Sequence, residues 1–404
     1  EACYNLYYAR IRRGDVAYST FKLGAFGSEL GAIACFFETQ WSNVWPTLTD
    51  YVQSWLLINA SFSLRALGRL KEALEPMQAG LEMRIKQTDW DNAAKVASNL
   101  SELQLTLGDV AAALGSAKEA VIYADSSGDA GPQLIARATL AAALHHASND
   151  AEAGARFLEA EQIQAGLDPQ YPLLYSLRGF DYCDLLLTQA ERASGTIEGQ
   201  TPNDEFVRQC HAVSERAAQT LKWYERLAPP ILTIALDHLT LGRAALYAAI
   251  LEQSAAFAPP PRPNEEVNPH DDALLTGMAA ALHTAATEIE RAVAGLSRAG
   301  QQQYLVLGLL TRAWQRSLTG PRAGPESAQS DLDEAWEIAS HGPMPLLMAD
   351  IHLYRARLFF REPHYPFTDP DGTPRTPQQD LADARRLIEK HGYGRRLPNL
   401  KTRK

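Results

Sequence analysis

The sequence predicts an all-α protein built from tandem helical hairpins. Three observations support this prediction: turn and helix residues recur with a period of 40 residues, apolar residues follow helical spacing within each unit, and clusters of proline fall between the predicted helices. The 404 residues are 46% hydrophobic and 8% aromatic, which is apolar enough for a folded core but lean in the side chains that fill sheet cores.

The repeat is clearest when three segments are aligned: LRALGRLKEALEPMQAGLE (64–82), QLTLGDVAAALGSAKEAVI (104–122) and LHHASNDAEAGARFLEAEQ (144–162). Equivalent positions carry a turn residue (Gly68, Gly108, Ser148) and a small helix residue (Ala73, Ala113, Ala153). Glycine accepts the left-handed conformation that ends a helix at low cost. Alanine one turn into the next helix lets two helices pack closely. Each unit is therefore predicted to be one hairpin.

The predicted elements follow in chain order from this pattern. Residues 1–50 are predicted to form an N-terminal helical cap, 51–170 regular 40-residue repeats, and 171–404 divergent repeats with insertions. Four divergent hairpins are predicted to pair 171–189 with 205–227, 231–253 with 272–298, 302–318 with 327–340, and 346–361 with 378–390. Inserts at 193–204, 258–270 and 363–377 are polar or rich in proline, so we expect them to be mobile and cleaved first by proteases.

The Leu-Gly turn, followed by Ala, then Met or Phe, then a small residue at fixed spacing, resembles the tetratricopeptide repeat. The resemblance is clear over residues 51–165 and looser beyond them. Units of that family have about 34 residues and a terminal proline, whereas these units are longer and lack it, which puts the superhelical pitch in doubt. The resemblance implies a right-handed superhelical solenoid whose first helices line a concave binding groove.

Longer phrases are similar to the repeat-rich regions of bacterial signal-transduction and defence NTPases that carry NACHT or STAND-type ATPase modules. They are RIRRGDVAYSTFKLGAFGSELGAIACFF, LRALGRLKEALEPMQAGLEMRI, LYSLRGFDYCDLLL and IALDHLTLGRAAL. In that family such regions act as sensors that release the attached ATPase to oligomerise. No GxxxxGK[ST] motif occurs, so nucleotide binding is not carried over. Because the chain begins with Glu1, we expect it to be part of a longer protein.

Charge and composition restrict the partners. The net charge of −10 and the pI near 5.5 argue against a nucleic-acid partner. The densest basic groups lie near the two ends and are expected to be solvated: Arg10, Arg12 and Arg13, then Arg395, Arg396, Lys401, Arg403 and Lys404. No uncharged apolar stretch of about 18 residues predicts a membrane span, and no signal peptide opens the chain. We expect a cytoplasmic protein with reduced, mostly buried cysteines at Cys3, Cys35, Cys183 and Cys210.

Two groups of residues resemble catalytic or metal sites, but their spacing favours structural roles. His145 and His146, followed by Asp150, point in different directions on a helix and lack a second His at the fourth position. Cys183 and His211 lack the third group that would orient a thiol-protease pair. We expect neither a metal nor a nucleophile here.

Two local patterns are likewise interpreted as structural. The DPDGT segment at 369–373 lacks the further ligands of a calcium loop, so a turn is predicted. The Asn-x-Ser patterns at Asn59 and Asn99 occupy the same repeat position, which indicates packing rather than glycosylation. No cofactor is indicated, and an enzyme hidden in the divergent half remains only a third alternative.

The predicted concave surface is the candidate binding site. The first-helix positions expected to be exposed there are Trp55, Ile58, Phe62, Arg65, Lys95, Ser98, Glu102, Leu105, Ile135, Ala138, Ala142 and His145. Trp55, Phe62, Arg65, Lys95, Glu102 and His145 form the candidate groove, because an aromatic anchor with mixed charges suits peptide or protein recognition. The alternative is that Trp55 and Phe62 pack against the N-terminal cap.

The function predicted from these features is non-catalytic recognition of a protein or peptide. The chain would be the sensor or regulatory region of a larger bacterial NTPase, with an attached or associated ATPase or effector module. The alternative is a stand-alone scaffold or chaperone-like adaptor.

Overall fold

The chain is all-α apart from short strand pairings, in a computed structural model that describes residues 2–195, 204–227, 230–256, 269–369 and 371–400. The first half contains α1 (Ala2–Leu6), α2 (Phe26–Ala34), β1 (Phe37–Thr39), β2 (Asn43–Val44), α3 (Asp50–Ala66), α4 (Leu70–Lys86), α5 (Trp90–Thr106), α6 (Val110–Ser127), α7 (Ala130–His146) and α8 (Asp150–Leu167). The second half contains α9 (Ser176–Ser194), α10 (Asp204–Leu227), α11 (Ile231–Ala256), α12 (Pro269–Ala299), α13 (Gln302–Thr319), α14 (Ala328–His341), α15 (Pro345–Phe359), α16 (Pro377–His391) and a terminal 3₁₀ segment, Gly394–Leu400.

The N-terminal region is more irregular than the helical cap expected for residues 1–50. Two π-helical stretches, Tyr7–Arg12 and Tyr18–Lys22, separate α1 from α2. After α2, β1 and β2 form a short antiparallel pair in which Phe37 faces Val44. Aromatic side chains from this region bury the start of α3, where a 40-residue repeat has no preceding hairpin to cover it.

The hairpin turns of the regular repeats form as predicted. Gly68, Gly108 and Ser148 have φ angles of 74°, 84° and 71°, so even the serine adopts the left-handed conformation. The next backbone N–H in each case donates to a carbonyl five residues earlier, which satisfies a group at the helix end. Ala73, Ala113 and Ala153 are fully buried, as close helix packing requires.

The repeated Asn-x-Ser pattern has a packing role in the structure. Ser61 Oγ donates to the carbonyl of Ala73 at 2.6 Å, and Ser101 Oγ donates to that of Ala113 at 2.8 Å. Both serines are fully buried, and each one ties the first helix of its hairpin to the second. The 40-residue spacing of these serines therefore reflects equivalent hydrogen bonds in two successive hairpins.

The helices α9 to α16 fall where the four divergent hairpins are predicted.

The inserts at 193–204 and 258–270 lie largely outside the described residues. The third insert, 363–377, makes specific contacts with the last hairpin at some of its described residues. Phe367 is 2% exposed, and Arg375 makes ion pairs with Asp380 and Asp383 of α16. These contacts tie parts of the insert to the last hairpin, and its early cleavage stays a prediction. The described residues of the predicted turn hydrogen-bond across it, with Asp369 N–H donating to the carbonyl of Thr373 and Gly372 N–H donating to that of Asp369.

The first helices of six successive hairpins form a closed ring. In order, α5, α7, α9, α11, α13 and α15 each contact the next, and α15 contacts α5 again. Val110 packs among apolar residues of α15 and α16, and His391 Nδ1 lies 2.9 Å from the carbonyl oxygen of Gly108. The last hairpin therefore lies against the second repeat, and the inner surface encloses a central space instead of an open groove.

The most apolar helix, α11, is one of the helices that form this ring. Within α11, Ile231–Glu252 is long and apolar enough to cross a membrane, with a mean hydropathy of 1.3, but 72% of that segment is buried by other helices. Asp237 and Arg243 of this helix have specific polar partners inside the protein. These features fit the core helix of a soluble fold. The four cysteines are free, with Cys183 and Cys210 buried but Cys3 and Cys35 exposed.

Candidate functional site

A cavity of about 150 Å³ lies at the centre of the ring. Its wall is made by the first helices of seven hairpins, α3 to α15 in alternation, and by the C-terminal segment around Tyr393. The first helices converge here because their small and apolar faces pack on their own second helices, leaving the opposite faces to meet at the centre. Polar side chains are concentrated on this wall.

One side of the cavity carries an ion pair between neighbouring repeats. Arg65 Nη2 of α3 lies 3.2 Å from Glu102 Oε2 of α5, and Arg65 Nη1 also donates to the carbonyl of Asn99 at 3.3 Å. Both charged side chains keep some exposure, 15% for Arg65 and 27% for Glu102. The pair is therefore accessible to a ligand in the cavity.

Another part of the protein around the cavity contains a buried cluster of three arginines and three carboxylates. Arg243 Nη1 lies 2.7 Å from Asp184, while Arg396 lies 2.7 Å from both Glu191 and Asp350. Arg395 completes the cluster through Asp184. The charges balance, and the cluster joins the C-terminal segment to α9, α11 and α15.

Arg395 and Arg396 were expected to be solvated, and that expectation is wrong. They are only 4% and 6% exposed. A basic run at a chain end has no apolar periodicity, so it resembles a solvated segment unless its distant partners are known. Here Asp184, Glu191 and Asp350 supply the opposite charge from elements more than 40 residues away in sequence.

The arginines of this cluster determine how its carboxylates titrate. Burial alone would raise the pKa of Asp184, but Arg395 and Arg243 outweigh it and hold the pKa well below its usual value. Burial also acts to raise the pKa of Glu191, and Arg396 with the other two arginines lowers it to about 2. Asp184 and Glu191 are therefore ionised throughout the physiological range.

Asp181 differs from every other acid on the wall of the cavity. It makes no hydrogen bond and no ion pair with any residue in the described part of the chain. Burial raises its pKa well above the usual value, and Glu102 and Asp184 raise it further, while Arg178 and Arg395 act in the opposite direction. Phe180 and Tyr304 also line the cavity, and their rings meet edge to face at 6.1 Å. Burial raises the pKa of Tyr304, and Asp181 raises it further.

Of the six candidate groove residues, the structure brings only Arg65 and Glu102 to the cavity, where Leu105 and Ala142 join them. Trp55 packs edge to face on Tyr4, with ring centroids 5.4 Å apart, and Phe62 packs on Phe26. These two contacts support the alternative of packing against the N-terminal region.

The remaining candidates lie elsewhere. Lys95 is exposed and makes an ion pair with Asp91 on its own helix, outside the cavity. His145 is only 2% exposed, so the expectation that it faces a groove is wrong. Its Nδ1 lies 2.8 Å from Asp150, and Thr188 of α9 covers its other ring nitrogen at 3.2 Å. The packing of α9 over α7 explains the burial.

The other residues that resembled catalytic or metal sites in the sequence are either far from each other or buried. Cys183 is buried, and burial raises its pKa to about 12, while His211 is exposed near Glu252. Burial lowers the pKa of His146 to about 3, helped by Arg395 and His145. Within the described residues, no three His, Cys, Asp or Glu side chains gather closely enough to hold a metal ion.

Asp181 and Tyr304 were missed because they lie in the divergent repeats, where no period marks inner positions. The available signal was the charge of Asp181 in α9, where the flanking residues Phe180 and Tyr182 are buried. An acid between Phe180 and Tyr182 breaks the apolar face of the helix and indicates a special environment.

Comparison with known proteins adds no identification. No protein-family model matches the sequence, and no curated protein matches it. The likeness to tetratricopeptide repeats therefore rests on the residue pattern of the chain itself.

Asp237 of α11 is a second buried carboxyl group without an ion pair among the described residues. It is 4% exposed and accepts a hydrogen bond from Thr220 Oγ1 at 2.5 Å. Burial raises its pKa to about 7, although hydrogen bonds from Thr220 and Tyr224 act in the opposite direction. Ionising this group in the folded protein is therefore unfavourable.

Replacing Asp237 with Asn should stabilise the protein increasingly as the pH rises. Between about pH 4 and pH 7 the folded state binds more protons than the unfolded state, so wild-type stability falls through this window. Asparagine removes the ionisation while keeping an oxygen for Thr220. Urea titrations should show a gain of about 1–3 kcal/mol at pH 8 and a smaller one at pH 5. A gain that is equal at both pH values would contradict this assignment.

Proposed function

We propose that this chain is a non-catalytic recognition module that binds a peptide or a segment of another protein on its inner helices. The observation that carries the proposal is the convergence of seven first helices on one cavity. Convergent polar groups in a mainly apolar concave site are the usual arrangement of binding pockets. Arg65 and Glu102 provide a partly exposed cation and anion for the backbone or side chains of such a ligand.

We further propose that the hairpins form a tetratricopeptide-like right-handed superhelical solenoid. Support comes from the repeated left-handed turns, the buried alanines at fixed spacing and the sequential contacts between first helices. In repeat proteins of this kind each unit contacts its neighbours and the concave surface takes the ligand.

The larger role we propose is that of a cytoplasmic sensor or regulatory region for an attached or associated ATPase of bacterial signalling or defence. The quoted phrases of the sequence support it, and so does the ring closure. A ligand that fits between first helices from distant hairpins would change the contacts that hold the ring closed, which is how binding is coupled to a conformational equilibrium.

A peptide-display experiment tests the proposed recognition function. Random peptides selected on the purified chain are to be labelled and titrated by fluorescence anisotropy with the wild type, an R65A/E102A variant and a K95A variant. We expect R65A/E102A to weaken binding by at least about tenfold, which corresponds to about 1.4 kcal/mol. K95A is the control, because Lys95 lies outside the cavity and is 45% exposed in an ion pair. Selection of no peptide, or equal binding by R65A/E102A, would refute the proposal.

A further inference from the structure

The charges on the wall of the central cavity leave one acid without a counter-ion. Arg65 pairs with Glu102, and the buried cluster matches three arginines with three carboxylates. Asp181 alone has neither an ion pair nor a hydrogen bond in the described part of the protein. The one unmatched ionisable group on the wall is therefore an acid, which disfavours an anionic ligand.

The neighbours of Asp181 would favour a cation in its place. Burial is the main cause of the raised pKa of Asp181, and Glu102 and Asp184 add to it as like charges. A positive group beside Asp181 would relieve both this repulsion and the cost of burying the carboxylate. Arg178 and Arg395 act on Asp181 from a distance, but neither makes an ion pair with it.

Two aromatic rings complete the local environment. Phe180 and Tyr304 both line the cavity and contact each other edge to face. The Tyr304 hydroxyl has no hydrogen-bond partner among the residues described, so it can accept a hydrogen bond from a ligand. Aromatic walls next to a carboxylate are a common way to bind organic ammonium groups, since a ring face attracts a cation.

The size of the cavity restricts the ligand. Its volume is about 150 Å³. An apolar cavity of that size in another protein accommodates benzene, so a ligand of roughly six to nine non-hydrogen atoms would fit. Larger molecules would have to extend out of the cavity.

We propose that the central cavity binds a small organic monocation, a primary ammonium or guanidinium compound, with Asp181 as its counter-ion and Phe180 and Tyr304 as its aromatic wall. This site goes beyond the proposed function, and it stands whether or not a peptide binds the inner helices. The ligand class follows from the single unmatched carboxylate, which calls for one positive charge.

Calorimetric titration with benzylamine and isoamylamine tests the site, with benzyl alcohol and isoamyl alcohol as neutral counterparts of nearly the same shape. We expect at least one amine to bind the wild type with a Kd of about 1 mM or tighter, and its alcohol to bind at least about tenfold more weakly. Asp181→Asn should lose at least about tenfold of the amine affinity. Glu119→Gln, an exposed acid on α6, is the matched control and should bind as the wild type does.

The folding of each variant is checked by circular dichroism, and we expect Asp181→Asn to fold because the side chain is partly exposed and has no partner to lose. The proposal is overturned if neither amine binds the wild type at concentrations up to about 10 mM, or if Asp181→Asn binds them equally well. Failure here leaves the peptide experiment unaffected, since that experiment depends on Arg65 and Glu102. If no peptide is selected, the amine titration still decides whether the central cavity binds a cation.

Discussion

Replacing Arg396 with Met should lower the free energy of unfolding by about 3–5 kcal/mol, because it leaves buried carboxylates without their nearest cation. Arg396 lies 2.7 Å from both Glu191 and Asp350, and all three side chains are at most 8% exposed. In the Arg396→Met variant each carboxylate keeps only a more distant or uncharged partner. Glu191 retains Arg243 at 3.7 Å, and Asp350 retains the Tyr393 hydroxyl at 3.0 Å. Urea denaturation followed by circular dichroism measures the loss.

The matched control for this substitution is Arg69→Met. Arg69 also pairs with a glutamate, Glu72, but both side chains are more than 40% exposed. Exposed ion pairs contribute about 0–1 kcal/mol, so this variant should melt nearly as the wild type does. Equal destabilisation by the two changes would show that the C-terminal segment does not depend on the buried cluster.

A second substitution separates the ion pair from the general effect of shortening Arg396. If the charge of Glu191 is the source of the cost, Glu191→Gln combined with Arg396→Met should destabilise less than the sum of the single changes. Acid titration gives the same distinction. The stability due to Glu191 is present above about pH 4.5 and is lost as the pH falls towards 2, and Arg396→Met should reduce that loss.

The local architecture was predictable because its signals are local. Gly68 and Gly108 mark left-handed turns, and Ala73 and Ala113 mark close helix contacts, all within a few residues of the feature they determine. The divergent hairpins could also be predicted from the sequence, since proline-rich or polar segments separate amphipathic helices.

The closure of the ring was not predictable in this way. It depends on pairs such as Gly108 with His391 and Glu191 with Arg396, which are separated by 283 and 205 residues. A repeat pattern specifies how each hairpin packs on the next. It does not specify how many hairpins complete a turn, because small rotations between units accumulate along the chain.

The candidate site was predictable only in part for the same reason. Arg65 and Glu102 belong to the regular repeats, and counting from the Leu-Gly turns places them on the inner surface. His145 occupies an equivalent position, yet α9 covers it. Asp181 faces the cavity from a helix without the repeat pattern, and only its three-dimensional neighbours reveal that it has no counter-ion.

The contact of the last hairpin with Gly108, which closes the ring, is tested by changing the same repeat position in two successive hairpins. Gly68 and Gly108 both end a first helix with positive φ angles, 74° and 84°, so alanine should impose a similar backbone strain of about 1–2 kcal/mol at each. Their surroundings differ. A Cβ atom at Gly68 would meet nothing within 4 Å, whereas one at Gly108 would lie 2.3 Å from Pro345 and 2.9 Å from His391.

Gly108→Ala should therefore cost about 1–3 kcal/mol more than Gly68→Ala, because Pro345 begins α15 and His391 ends α16, so the last hairpin must move away from the second repeat. Urea denaturation of both variants gives the difference in free energy. Hydrogen exchange then locates it, and we expect faster exchange across α15 and α16 in Gly108→Ala but not in Gly68→Ala. Since the two glycines share the strain and differ only in this contact, equal stability of the variants would mean that the last hairpin does not close the ring against Gly108.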